Sequence, residues 1–170
     1  MRVLGVDPGS RITGYGVLDE KNREISFVAA GLIKPPGKMP FPQRIHRIFQ
    51  GIVEIIDRYT PHAAAVEDLF FAKNARSSLK LGHARGAALI AAGQCDIPVF
   101  EYTPLEIKKS VVGYGRADKE QVRSMVNIML RLTKQVPLDA SDALAAAICH
   151  INSARLSALK QKNPLGKMNR

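Results

Sequence analysis

The sequence contains 170 residues, 46% of them hydrophobic, which suits one compact domain with a buried core rather than two domains or a disordered chain. Its formal net charge of +10 points to a polyanionic partner, and nucleic acid is the commonest soluble polyanion. Cys95 and Cys149 stand far apart and outside any metal-ligand spacing, which excludes a disulfide scaffold and a cysteine zinc site and suits a reducing cytoplasm.

Arg2 to Val6 is apolar and partly β-branched and reads as a first strand. Asp7 follows at once, too early for the apolar core of a signal peptide, and no later stretch is long and apolar enough to cross a bilayer, so no membrane partner is expected. Gly14 to Leu18 and Glu24 to Ile33 read as two more strands, with Asp19 to Arg23 as a polar turn, which together make an antiparallel meander. The prolines of Lys34 to Pro42 mark a loop, after which Ile45, Ile48, Phe49, Ile52, Val53 and Ile56 repeat at helical spacing. Ala63 to Val66 is a short apolar run ending at Glu67, which places that carboxylate at a strand exit. Ala75 to Ala92 reads as an alanine-rich helix and Ile97 to Tyr102 as a further strand. Thr103-Pro104-Leu105-Glu106 combines a capping box with proline at the first helical position, so a helix starts at Pro104. Beyond the Gly113 to Arg116 loop, Val122, Met125, Val126, Met129 and Leu130 mark another helix, and the last runs from Asp139 to Leu159. The pattern is that of an α/β domain over residues 1–155, with a mixed central β-sheet flanked by α-helices, followed by a basic, flexible tail at 156–170.

Four acids stand out against this basic background. Asp7 follows the first strand and precedes Pro8-Gly9-Ser10, and Glu67 ends a later strand; strand ends are where distant residues converge to form sites. Asp139 and Asp142 are three apart, so both carboxylates share one face at the start of the last helix. Such a set suits magnesium, and a pair of ions ~4 Å apart can activate water and orient an in-line phosphodiester displacement. Each acid alone also has an ordinary reading: Asp139 as a helix cap, Asp142 beside the positive end of the helix dipole, Asp7 as a turn aspartate, Glu67 as a surface acid.

Gly5-Val6-Asp7-Pro8-Gly9-Ser10-Arg11, Thr13-Gly14-Tyr15-Gly16-Val17, Val66-Glu67-Asp68 through Ala72-Lys73-Asn74, and Lys80-Leu81-Gly82-His83-Ala84-Arg85-Gly86 closely resemble the bacterial RuvC family of Holliday-junction resolvases. Pro98-Val99-Phe100-Glu101-Tyr102, Lys108 to Gly113, and Asp139-Ala140-Ser141-Asp142-Ala143-Leu144-Ala145 extend the resemblance to His150. It implies a ribonuclease-H-like fold, a homodimer, and paired symmetric nicks across four-way junction DNA, made with two Mg2+ ions per site or with Mn2+ in their place. It further implies that Asp7, Glu67, Asp139 and Asp142 are the catalytic metal ligands: Asp7 and Asp139 on one ion, Asp7 and Glu67 on the other, Asp142 completing the cluster. A branch-migration complex of RuvA and RuvB is the implied partner.

The same resemblance gives roles to DNA-binding residues. Lys108 and Lys119 align with lysines near the cleaved strand, and Phe70 with an aromatic that stacks on an unpaired base, with Phe71 beside it as a second candidate. Lys73, Arg76, Lys80 and Arg85 form a run from Leu69 to Cys95 free of acids, consistent with a face that follows the DNA backbone. Three rivals are set beside this reading. An actin-like or sugar-kinase-like ATPase needs two lobes, for which the chain is too short; a ribonuclease-H-like nuclease on RNA–DNA hybrids or other structured nucleic acid shares the acids without a symmetric dimer; a non-catalytic DNA-binding module leaves the acids idle.

Overall fold

The first strand, β1 (Arg2–Asp7), lies at the centre of a five-stranded sheet of order β3-β2-β1-β4-β5, with β2 spanning Thr13–Lys21, β3 Glu24–Ile33, β4 Ala63–Glu67 and β5 Val99–Tyr102. The computed structural model describes residues 1–68 and 75–162, the side chains of 161 and 162 excepted. Among these, the helices are α1 (Phe41–Tyr59), α2 (Ala75–Gln94), α3 (Pro104–Val112), α4 (Lys119–Met129) and α5 (Leu138–Lys162). The first three strands pair antiparallel and β1, β4 and β5 pair parallel, as the mixed-sheet expectation requires.

Period-two alternation in β1 feeds two cores. Leu4 and Val6 face α1 and α2 and pack with Ile48, Ile52 and Ile56, whereas Val3 faces the other side with Leu144 and Ile148 of α5 and Val122 and Val126 of α4. Each of these large aliphatic side chains contributes about 1.5–3 kcal/mol by leaving water. The sheet is therefore sandwiched between helical layers, and both of its faces are dry at β1.

The structure changes two local expectations and adds one helix cap. Lys21 pairs with Glu24, so only Asn22 and Arg23 turn the chain, with φ of 53° and 66°. Positive φ at both central residues is what a type I′ hairpin requires. Asp19 consequently stays in the ladder, where its Oδ2 accepts from Arg2 Nη2 at 2.8 Å. The Asp118 carboxylate caps α4 in a second capping box with Gln121. Finally, α5 begins at Leu138 and continues past Leu159 to Lys162, into the stretch that composition assigns to a tail. No glycine or proline stands between Leu138 and Asn163 to stop it earlier.

Candidate active site

Asp7 and Glu67 are brought together by strand register. Val6 pairs with Val66 across the parallel β1–β4 ladder, so the next residue on each strand, Asp7 and Glu67, stands at the same end of the sheet. Ala65 belongs to the core beneath α5, and alternation puts Glu67 on that same face. Asp7 pairs with Gly14 on the other side.

Glycines then let α5 settle on this floor. A Cβ on Gly5 would stand within 1.8 Å of the Ala143 carbonyl oxygen, and one on Gly14 within 1.9 Å of the Asp139 carbonyl oxygen. A Cβ on Gly16 would meet the Leu144 side chain at 2.6 Å. The helix answers with small residues, Ala140, Ala143 and Ala147, all fully buried. Backbone rests on backbone, and the first turns of α5 come down beside Asp7.

Helix α5 opens with the Ser141 N–H donating to the Pro137 carbonyl at 2.9 Å, so Asp139 lies inside the first turn rather than at the cap. The capping explanation for Asp139 is thereby removed. Asp142, one turn further, has a side chain only 13% exposed and accepts from Lys119 Nζ at 2.9 Å.

Electrostatics show that the acids feel one another. Burial, then the Glu67 and Asp142 charges, push the Asp7 carboxyl up to about 8; Asp139 adds to this and Lys119 opposes it. Burial, then the Asp142 charge, also raises Glu67, against Lys119, a hydrogen bond from Asp7 and Lys108. Asp7 thus carries a proton that it donates to Glu67. Lys119 loses hydration by burial, yet its hydrogen bond to Asp142 and the field of Asp7 and Glu67 raise its pKa overall.

Among the described residues, no three acid, histidine or cysteine side chains stand close enough together to hold a metal ion as they are placed. The donor set nevertheless fits a hard divalent cation: burial, together with the charges of Glu67, Asp142 and Asp139, holds a proton on Asp7, and magnesium takes few protein ligands because it keeps waters.

Of the other expected contact residues, Lys108 and Lys119 lie within electrostatic reach of Glu67. Arg76 and Lys80 are exposed on α2. Arg85 is half-buried and ion-paired with Asp68 and Glu101. Phe70, Phe71 and Lys73 lie outside the described residues.

Residues 3–150 match the family described as crossover junction endodeoxyribonuclease RuvC. The chain belongs to this family. A relative of that description from Geotalea uraniireducens is 49% identical over 170 residues, covering 99% of both chains. One from Geobacter metallireducens is 53% identical over 154 residues, 91% of this chain and 94% of the relative. Among solved structures, Thermus thermophilus RuvC in complex with Holliday junction substrate matches with a TM-score of 0.86 at 34% identity, covering 92% of this chain and 96% of that one. The yeast mitochondrial Holliday junction resolvase matches with a TM-score of 0.66 at 12% identity, covering 94% of this chain and 83% of that one, a likeness of fold alone. The fold is accordingly the ribonuclease-H-like one that the sequence motifs imply.

The motifs miss what Gly5, Gly14 and Gly16 do. Their signal was present, as glycines facing one side of two paired strands opposite an alanine-rich helix, but it becomes readable only once the strands are known to pair.

Proposed function

We propose that this chain is a crossover junction endodeoxyribonuclease that resolves four-way (Holliday) DNA junctions in the cytoplasm, during recombination and repair, using Mg2+ held by Asp7, Glu67, Asp139 and Asp142. The observation that carries the reading is that buried Asp7 feels the charges of Glu67, Asp142 and Asp139 together, in a chain of net charge +10.

Asp7 sits between Glu67 and the α5 acids and is the natural shared ligand, with Asp139 on one side and Glu67 on the other. Mg2+ held there as two ions, or Mn2+ in its place, would supply a nucleophilic water at neutral pH and would offset charge on the leaving oxygen. Asp7 must give up its proton to serve as a ligand, and Glu67 is then released from its hydrogen bond. Lys108 and Lys119 hold the phosphate and offset developing negative charge. The 64% exposure of the Lys119 side chain lets it swing from Asp142 to a phosphate oxygen. Exposed Arg76 and Lys80, together with Lys73, track the backbone, while Phe70 stacks on an unpaired base.

We also propose a homodimer, so that two sites act on opposing strands, in partnership with RuvA and RuvB. Leu79 and Ile90 of α2, 66% and 65% exposed, border a groove lined by Ile45 and Phe49 and offer the apolar surface for self-association. Residues 1–155 carry the chemistry, and the basic stretch 156–170 is an addition to them. A supercoiled plasmid extruding a cruciform tests the reading. A dimer that nicks both strands in one encounter yields linear product without prior accumulation of nicked circles; nicked circles forming first would contradict it.

A further inference from the structure

Arg85 is the last of the four basic residues in the run that resembles a DNA-tracking face, yet its surroundings differ from those of its neighbours. Its side chain is 24% exposed, less than either of the acids it meets, Asp68 at 43% and Glu101 at 37%. Its Nη2 lies 3.2 Å from Asp68 Oδ1 and also pairs with Glu101 Oε2. Arg76 and Lys80, one to three turns earlier on α2, are exposed.

Strand alternation shows what this grip controls. On β4, Ala65 packs beneath α5 and Val66 packs beneath α1 and α2. Glu67 therefore faces α5, and Asp68 points back toward α2. On β5, Val99 packs on the α1 and α2 side, and Glu101 shares that side and pairs with Val66. The Asp68 N–H donates to the Tyr102 carbonyl at 2.8 Å, making the last rung between the two strands. Glu67 is thus the final residue of its strand, with the ladder ending immediately after it.

A terminal strand residue is held on one side only, so its register, and with it the face its side chain takes, depends on how firmly the chain just beyond it is fixed. Arg85 adds a side-chain tie to that last backbone rung. It ties Asp68 to Glu101 across the ends of β4 and β5, on the face opposite the metal site. The guanidinium presents several donors in a fixed plane, so one side chain can serve both carboxylates, which an ammonium does less well.

We propose that Arg85 is a positioning residue for Glu67, locking the exit of β4 through Asp68 and Glu101, and that it does not contact DNA in the working enzyme. This rests on the reading of Glu67 as a metal ligand. A phosphate contact would require Arg85 to leave both acids, and their negative charge would then face DNA without the guanidinium between them.

The test uses the full chain and two readouts: Mn2+ binding followed by electron paramagnetic resonance, and junction affinity in EDTA across a range of salt. The variants are Arg85→Ala, Arg85→Lys and Glu101→Gln, with Glu67→Gln as reference. Positioning predicts that Arg85→Ala weakens Mn2+ binding by about 10–100-fold. Arg85→Lys restores part of this, Glu101→Gln shifts it the same way, and junction affinity and its salt dependence stay as in the parent. Unchanged Mn2+ binding together with weaker junction affinity, and a salt slope shallower by about one, would make Arg85 a phosphate contact and overturn the proposal. Loss of thermal stability with unchanged Mn2+ binding would overturn it equally. Should Arg85→Ala fail to fold, Arg85→Lys and Glu101→Gln decide by the same readouts. Unaltered Mn2+ binding in Glu67→Gln would overturn the metal reading itself, an outcome separable from failure at Arg85 alone.

Discussion

Gly14 lies so close beneath Asp139 that a methyl group on it would stand 1.9 Å from the Asp139 carbonyl oxygen. Since Gly14 is also the register partner of Asp7, this contact sets the spacing between the floor of the site and the helix that roofs it. The clash in Gly14→Ala is with backbone, which cannot move aside as a flexible side chain can. Overpacking of this kind costs about 1–3 kcal/mol, and α5 must shift to relieve it. The variant is expected to fold with a lowered melting temperature and to lose junction cleavage more severely than stability. Parent-like cleavage in Gly14→Ala would show that the α5 position is not critical.

Asp7 makes stability depend on pH in a direction opposite to most aspartates. Its folded-state value of about 8 lies above the unfolded value, so folding takes up a proton. The stabilisation is complete below the unfolded value of about 3.9 and is lost as pH rises through about 8. Metal-free protein should therefore melt at progressively lower temperature between about pH 5 and about pH 8, and Asp7→Asn should flatten that decline while abolishing cleavage. Added Mg2+ should raise the melting temperature more at higher pH, because it competes with the proton. Identical pH slopes for the parent and Asp7→Asn would contradict the account.

Lys119 separates stability from chemistry. Its pair with Asp142 is largely exposed on the lysine side and is worth less than about 1 kcal/mol to folding. In its proposed role as a donor to phosphate it is worth far more, since removing one such donor costs about 10²–10³-fold in rate. Lys119→Ala should melt close to the parent and cleave a saturating junction substrate slowly. A large loss of stability with unaltered rate would assign Lys119 to the fold instead.

Ile90 on α2 reports on self-association. It is 65% exposed on the single chain, and Ile90→Glu introduces a charge into the surface proposed to pair with a second copy. Sedimentation should then show monomer, and cruciform plasmid should be nicked once rather than linearised. An unaltered dimer would place the interface elsewhere.

The positions of the candidate site's acids on their elements were legible because those elements carry local signals. The Thr103–Glu106 capping box is present as expected, with the Thr103 N–H donating to Glu106 Oε2 at 2.8 Å. Glu67 ends β4, and Asp139 and Asp142 share the opening turns of α5. Non-local features were not legible. The hairpin turn at Asn22 and Arg23 lacks glycine, so its positive φ values depend on the strands that flank it. Arg85 reads as a surface cation because its partner Glu101 arrives on another strand, in a register that sequence spacing does not reveal. The closeness of Gly14 to Asp139 likewise exists only after β1 and β2 pair and α5 lies across them.

The most direct measurement is cleavage, in Mg2+ at one stated ionic strength, of a synthetic four-way junction, the corresponding linear duplex and an RNA–DNA hybrid, by the parent and by Asp7→Asn. The account predicts paired, symmetric nicks confined to the junction and none from Asp7→Asn. Equal cutting of the duplex or the hybrid, or junction cleavage that survives Asp7→Asn, would contradict it.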